Sequence, residues 1–133
     1  VGTGSGHMAA LLASKAEYVY SVEIDPVLAE TARRNLRRAG VTNVSVETGD
    51  ASQGWSGHSP YDLIVISGSL PELPDVFLQQ LKLGGRLTAF IGEAPVMEAQ
   101  LIISTDDKAF NTINFFETVV APLTARKRQS FVF

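Results

Sequence analysis

Three glycines at alternate positions open the chain in the run Val1-Gly2-Thr3-Gly4-Ser5-Gly6. Glycine takes backbone angles with φ > 0 and lets a ligand approach the main chain closely. Where such a run joins a strand to a helix, the free N–H groups at the helix start favour a polar or anionic group. Glu23 follows Gly4 by 19 residues, and Asp50 stands in Gly49-Asp50-Ala51. A carboxylate at the end of a strand accepts from both hydroxyls of a ribose and repels a 2′-phosphate. A second acid at the same edge can accept from an adenine amino group, and the small Ala51 leaves room for the ring. Together the three elements describe a site for an adenosine-containing ligand.

The dinucleotide fingerprint G-x-G-x-x-G needs a third glycine at position 7, where this chain has His7. The G-x-G-x-G spacing suits a ligand with no pyrophosphate to cradle, of which S-adenosylmethionine is the common one. A nicotinamide dehydrogenase is the weakest alternative. The expected cofactor contacts are Gly2, Thr3, Gly4 and Ser5 in the glycine loop, Glu23 and Ile24 at the end of the next strand, and Asp50 and Ala51 after the one beyond it. Ser52 is a turn residue or a hydrogen-bonding neighbour of Asp50. Trp55, the only tryptophan, either covers the adenine side of the pocket or anchors its own loop. His7 reads as a half-exposed helix-start residue and His58 as an exposed loop residue. The two are 51 positions apart, which disfavours a histidine-based metal site, and no metal is expected.

The elements that must hold these residues alternate between apolar runs and helical patterns, the mark of βαβ units. A helix opens at His7, and Tyr18–Ile24 reads as a strand. Asp25-Pro26 starts a second helix, with Asp25 as cap and proline in the first turn. Leu28, Ala32 and Leu36 mark its apolar face beside Ala29, and Gly40 ends it. Arg33, Arg34, Arg37 and Arg38 fall near its end as a solvated, dipole-favoured face. Val44–Glu47 is a short strand, and residues 51–60 form a turn-rich loop. Leu63–Ile66 reads as a central strand buried on both faces. Pro71–Leu83 holds a helix, Gly84-Gly85 a turn, and Arg86–Ile91 a strand. Ala99–Ser104 and Ile113–Val120 are two late strands pairing as an antiparallel hairpin around Asp106-Asp107-Lys108, and Gln129–Phe133 adds a last edge strand. Arg126-Lys127-Arg128 reads as a solvated group guarding that edge. The expected fold is α/β, a Rossmann-like, doubly wound and mostly parallel sheet with an antiparallel edge hairpin near the C-terminus.

Composition fits one such domain: 133 residues, 45% apolar and 19% charged. Eleven basic against fourteen acidic side chains give a net charge of −3 and argue against bulk nucleic-acid binding. With no cysteine, disulfides, thiolate metal sites and cysteine nucleophiles are excluded. No apolar stretch is long enough to span a membrane and no signal peptide is visible, so a cytoplasmic domain is the default expectation, and a lone acidic domain with no evident coiled coil is expected to be a monomer. The chain starts at Val1, with almost no strand before its glycine loop, and is read as lacking its first strand and true N-terminus.

Longer motifs narrow the class. Gly2-Thr3-Gly4-Ser5-Gly6-His7, Gly49-Asp50-Ala51-Ser52-Gln53-Gly54-Trp55 and Tyr61-Asp62-Leu63-Ile64-Val65 resemble the protein-L-isoaspartate O-methyltransferase family, as do Pro71-x-x-Pro74 and Leu78-x-Gln80-Leu81-Lys82-x-Gly84-Gly85-Arg86-Leu87. The resemblance covers nearly the whole chain. It implies transfer of the methyl group of S-adenosylmethionine to the α-carboxylate of isoaspartyl residues, leaving S-adenosylhomocysteine, in repair of damaged proteins. It also implies isoaspartyl peptides and proteins as partners, with no nucleic acid or membrane.

Such transfer is an in-line displacement at a carbon already activated by the sulfonium, so positioning supplies most of the help. A carboxylate acceptor, with a pKa of about 4, is ionised at neutral pH and needs no general base. The chain lacks an Asn/Asp-Pro-Pro-Tyr segment after its fourth strand, as amide and adenine N-methylating enzymes have. Two departures stand out. Ser67-Gly68-Ser69-Leu70 replaces the family's alanines, and the acceptor-binding segment with its hydroxyl residue, which lies upstream of the glycine loop, is missing. The catalytic residues are therefore unassigned, and this chain alone is expected to be inactive if that segment is required. The other readings are a methyltransferase for a small-molecule or RNA acceptor, and a non-catalytic cofactor-binding module.

Overall fold

The structure is a computed structural model, and it describes residues 1–2, 6–93, 95–106, 109–118 and 123. The expected last strand at Gln129–Phe133 and the cluster Arg126-Lys127-Arg128 lie outside the described residues. The chain forms two compact units, one built on residues 2–52 and one on Val1 with residues 53–123.

In the unit built on residues 2–52 the order is α1 (His7–Ala13), β1 (Val19–Glu23), α2 (Pro26–Arg38) and β2 (Val44–Thr48). β1 and β2 pair in parallel with Val19 opposite Val44 and Glu23 opposite Thr48. α2 forms where the sequence places it. The Asp25 carboxylate accepts from the N–H groups of Val27 and Leu28, and Pro26 fills the first turn. At the other end Gly40, at φ +72°, donates to the Arg37 carbonyl while Val41 donates to the Leu36 carbonyl, so two carbonyls that a helix end leaves unpaired are satisfied. The buried stripe is Ala29, Ala32 and Leu36; Leu28, expected on it, is 43% exposed. At 100° per residue, Leu28 falls at the rim of a stripe centred on those three. Asn43 joins α1 to the strand layer. Its side-chain amide donates to the carbonyls of Ala13 (2.8 Å), Ala16 (3.0 Å) and Glu17 (3.4 Å), just where a helix end leaves acceptors unpaired.

The second unit carries β3 (Tyr61–Leu70), α3 (Asp75–Gln79), β4 (Leu81–Glu93), β5 (Val96–Asp106) and β6 (Ala109–Thr118) in a sheet of order β3-β4-β5-β6. β3 and β4 are parallel, and β4–β5 and β5–β6 are antiparallel. The α/β class and the late antiparallel hairpin are thus as read from the sequence. The described strands form a two-stranded and a four-stranded sheet, with parallel and antiparallel pairs equally represented. Ile64, Ile66, Leu70, Phe77, Leu81, Leu87, Ala89 and Ile102 make up the core, with Val1 and Leu123 packed against it.

Three expectations for this unit change. α3 is only five residues long, because Leu81 leaves the helical pattern to pair with Tyr61 and begins β4 well before Arg86. The glycine turn survives as an excursion inside β4, where the register jumps from Tyr61↔Leu81 to Leu63↔Arg86 and Gly84 sits at φ +78°. Leu63, read as buried on both faces, is 40% exposed, since along Leu63–Ile66 it is the alternate side chains Ile64 and Ile66 that enter the core.

The Ser67–Leu70 segment has a packing constraint of its own. A Cβ added to Gly68 would lie 2.6 Å from Leu123 Cα and 2.7 Å from its nitrogen, and Leu123 N–H donates to the Ser69 carbonyl at 2.9 Å. Backbone cannot swing aside as a side-chain tip can. Gly68→Ala is therefore expected to lower stability by about 1–3 kcal/mol, as overpacking does. Thermal unfolding of the variant checks this, and an unchanged midpoint would refute the close approach.

Candidate functional site

The unit built on residues 2–52 brings its chemistry to the carboxyl edge of β1 and β2, the edge at which open α/β sheets bind ligands. Gly2, at φ +82°, donates its N–H to the Val22 carbonyl at 2.9 Å, which sets the start of the glycine loop beside the end of β1. Gly6, at φ +91°, is the buried N-cap residue of α1. An added Cβ there would come within 3.4 Å of Ala32 Cβ and of the Ala32 carbonyl oxygen, so the backbone angle and the packing against α2 both call for glycine. Thr3, Gly4 and Ser5 lie outside the described residues.

Glu23 is the last residue of β1 and only 6% exposed. A carboxylate this deep needs hydrogen-bond donors, and the Asp25 N–H supplies one to Oε2 at 3.0 Å. Its own carbonyl accepts from Gly49 N–H at 2.9 Å, which closes the ladder at this edge. Glu23 and Asp25 thus divide the work of a three-residue corner: one carboxylate is fixed at the strand end, and the other caps α2. Ile24, between them, is half-buried.

One residue beyond the ladder comes Asp50, whose Oδ1 accepts from Ser52 N–H at 2.9 Å and closes a tight turn. Ala51 and Ser52 are buried, and Asp50 is half-buried. Of the residues expected to contact a cofactor, Gly2, Glu23, Ile24, Asp50 and Ala51 therefore meet at one sheet edge. The donor set fits an adenosine: carboxylate acceptors for hydroxyls and an amino group, with small residues where a flat ring needs space. Among the described residues no group of three or more His, Asp and Glu side chains could hold a metal ion.

Sequence reasoning missed two side chains. Arg33, grouped with the solvated arginines, folds instead onto β2, where it donates to the Val46 carbonyl and to Thr48 Oγ1. Local spacing could not separate it from Arg34, Arg37 and Arg38. The other is Gln80 in the second unit, buried, with Oε1 accepting from Trp55 N–H at 3.0 Å. The Trp55 carbonyl accepts from the Tyr61 hydroxyl, and Gly54 at φ +92° brings the chain against the Gln80 amide. Those bonds give the tryptophan loop its anchor. His58 closes a short 3₁₀ turn, Ser56–His58, and is exposed.

Comparison with solved proteins identifies the fold as that of α/β methyltransferase domains. A structure named protein-L-isoaspartate O-methyltransferase superposes with a TM-score of 0.84 at 31% identity, covering 93% of this chain and 40% of that one. A β-aspartate methyltransferase from Plasmodium falciparum, crystallised in complex with S-adenosyl-L-homocysteine, gives 0.79 at 20% identity, covering 92% and 63%. The profile of the protein-L-isoaspartate(D-aspartate) O-methyltransferase family matches residues 1–128. The protein-L-isoaspartate O-methyltransferase 2 of Syntrophobacter fumaroxidans is 40% identical over 125 residues, covering 93% of this chain and 51% of that protein. The chain belongs to the protein-L-isoaspartate(D-aspartate) O-methyltransferase family. It spans about half the length of the curated relatives it matches.

Proposed function

We propose that this chain is the S-adenosylmethionine-binding domain of an enzyme that methylates the α-carboxylate of L-isoaspartyl residues in damaged proteins. The observation that carries the reading is the meeting of Glu23 and Asp50 at one sheet edge, in a chain of this family. Glu23 would hold the ribose hydroxyls, Asp50 the adenine amino group, and Ile24 and Ala51 the ring. Gly2, Thr3, Gly4 and Ser5 would leave the main chain open to the rest of the ligand.

When bound, S-adenosylmethionine supplies a methyl group on a sulfonium. The task left to these residues is to orient, and the two carboxylates are fixed for it. The Glu23 carboxylate is held by the Asp25 N–H, and the Asp50 carboxylate is held by the Ser52 N–H. Holding the reacting groups in line is worth several kcal/mol of barrier. The acceptor carboxylate is already ionised at neutral pH, so no side chain is needed as a base. The partners that follow are isoaspartyl peptides and proteins, rather than nucleic acid or membrane, met by a cytoplasmic monomer. No described helix is long and apolar enough to cross a membrane.

The deciding experiment is transfer of labelled methyl from S-adenosylmethionine to an isoaspartyl peptide by the whole protein, with the normal aspartyl peptide as control. Base-labile label on the isoaspartyl peptide alone is the expected result, because a carboxyl methyl ester hydrolyses in base and an N-methyl group does not. Label on neither peptide, with S-adenosylhomocysteine still bound, would favour a different acceptor. Ser67-Gly68-Ser69-Leu70, standing where the family has alanines, is the feature that would point there.

A further inference from the structure

We propose that Arg33 is a positioning residue for the cofactor edge, acting by pinning the end of β2 that carries Asp50. Three of its N–H groups reach that strand. Nε and Nη2 donate to the Val46 carbonyl at 3.2 and 2.7 Å, and Nη2 also donates to Thr48 Oγ1 at 3.2 Å. On the other side of the guanidinium, Nη1 meets Glu30 Oε2 at 3.4 Å, and Glu30 in turn meets Arg37 at 3.5 Å. A rigid planar fork held at both sides fixes the strand far better than a flexible ammonium could.

The place of the clamp is what gives it a role. Thr48 is the last residue of β2 and the register partner of Glu23. Gly49 then donates to the Glu23 carbonyl, and Asp50 follows. Among the described strands β2 pairs with β1 alone, so its far side has no second strand to hold it in register. Arg33 does that holding from α2, and the same helix begins at the corner that fixes the Glu23 carboxylate. One helix therefore references both acids, Glu23 through Asp25 at its start and Asp50 through Arg33 in its third turn. The spacing between two groups that grip one ligand follows from that arrangement. What the edge binds is taken from the adenosine reading above.

The test compares the parent protein with Arg33→Met, which keeps the aliphatic stem, Arg33→Lys, and Thr48→Val, which removes one acceptor and leaves the arginine in place. Titration calorimetry with S-adenosylhomocysteine gives Kd and stoichiometry, and amide exchange of the ligand-free proteins follows the Gly49 N–H. Arg33→Met is expected to raise Kd about tenfold at unchanged stoichiometry and to speed Gly49 exchange relative to the amides of α2. Arg33→Lys should recover part of both, and Thr48→Val should show a smaller effect of the same kind. A purely structural role would instead lower the stoichiometry, through loss of folded protein, and leave Kd alone. That result, or unchanged Kd with unchanged Gly49 exchange, overturns the proposal. If the parent binds no S-adenosylhomocysteine while Arg33→Met still speeds Gly49 exchange, the clamp stands and the cofactor reading falls.

Discussion

Phe77→Ala is expected to lower the unfolding free energy by about 3–5 kcal/mol, the range for removing a buried phenylalanine. Phe77 is 1% exposed and is among the largest fully buried side chains. It projects from α3, a helix of five residues that has little stability of its own. The phenyl ring ties that helix into the cluster of Ile64, Ile66, Leu70, Leu81 and Leu87, so truncation removes the packing of the helix along with the ring. The control is Leu83→Ala in the same stretch of chain. Leu83 is 67% exposed, and its loss should change stability by less than about 0.5 kcal/mol. Urea titrations of both variants decide the matter. Equal midpoints would mean that α3 does not close the core.

Glu23→Ala is expected to weaken S-adenosylhomocysteine binding by about 1.5–3 kcal/mol, the range for hydrogen bonds to a charged group, or roughly 10- to 150-fold in Kd. Glu23→Gln should fall between, since an amide oxygen can still accept from the Asp25 N–H while the charge is gone. An adenosine analogue without ribose hydroxyls separates the ribose contact from a general loss of order. The parent should lose affinity for it, and Glu23→Ala should lose little more, because the same interaction is being removed twice. If the two losses add in full, the carboxylate does not hold the ribose.

How far the sequence carried these conclusions varies with the range of the interactions. α2 was legible because its signals are local: Asp25-Pro26 at the start, Gly40 at the end. Glu23 and Asp50 were legible as acids at and just beyond the ends of strand patterns, and register then set both at one edge. The start of β4 was not. Leu78 and Leu81 fit a helical stripe, and only pairing with Tyr61 draws Leu81 into the sheet. Tertiary pairing overrides local preference there. Arg33 was hidden for the same reason, since four arginines share one helix and the fold alone turns one of them onto β2. Asn43 gave no local sign of the three carbonyls that it gathers from the end of α1 and beyond.

The succession β4, β5, β6 has a consequence for how the chain reaches its native state. Each hairpin in it closes across a short link, Glu93 to Val96 and Asp106 to Ala109. Little chain entropy is lost in bringing such near neighbours together, whereas joining β1 to β2 must enclose all of α2 first. Sequence-local pairings form fast and distant ones form slowly. The meander is thus the natural nucleus of its unit, and the parallel crossover that completes the candidate cofactor edge is the slower step. Within this stretch the glycine loop comes early in sequence, and yet the edge it serves is finished late.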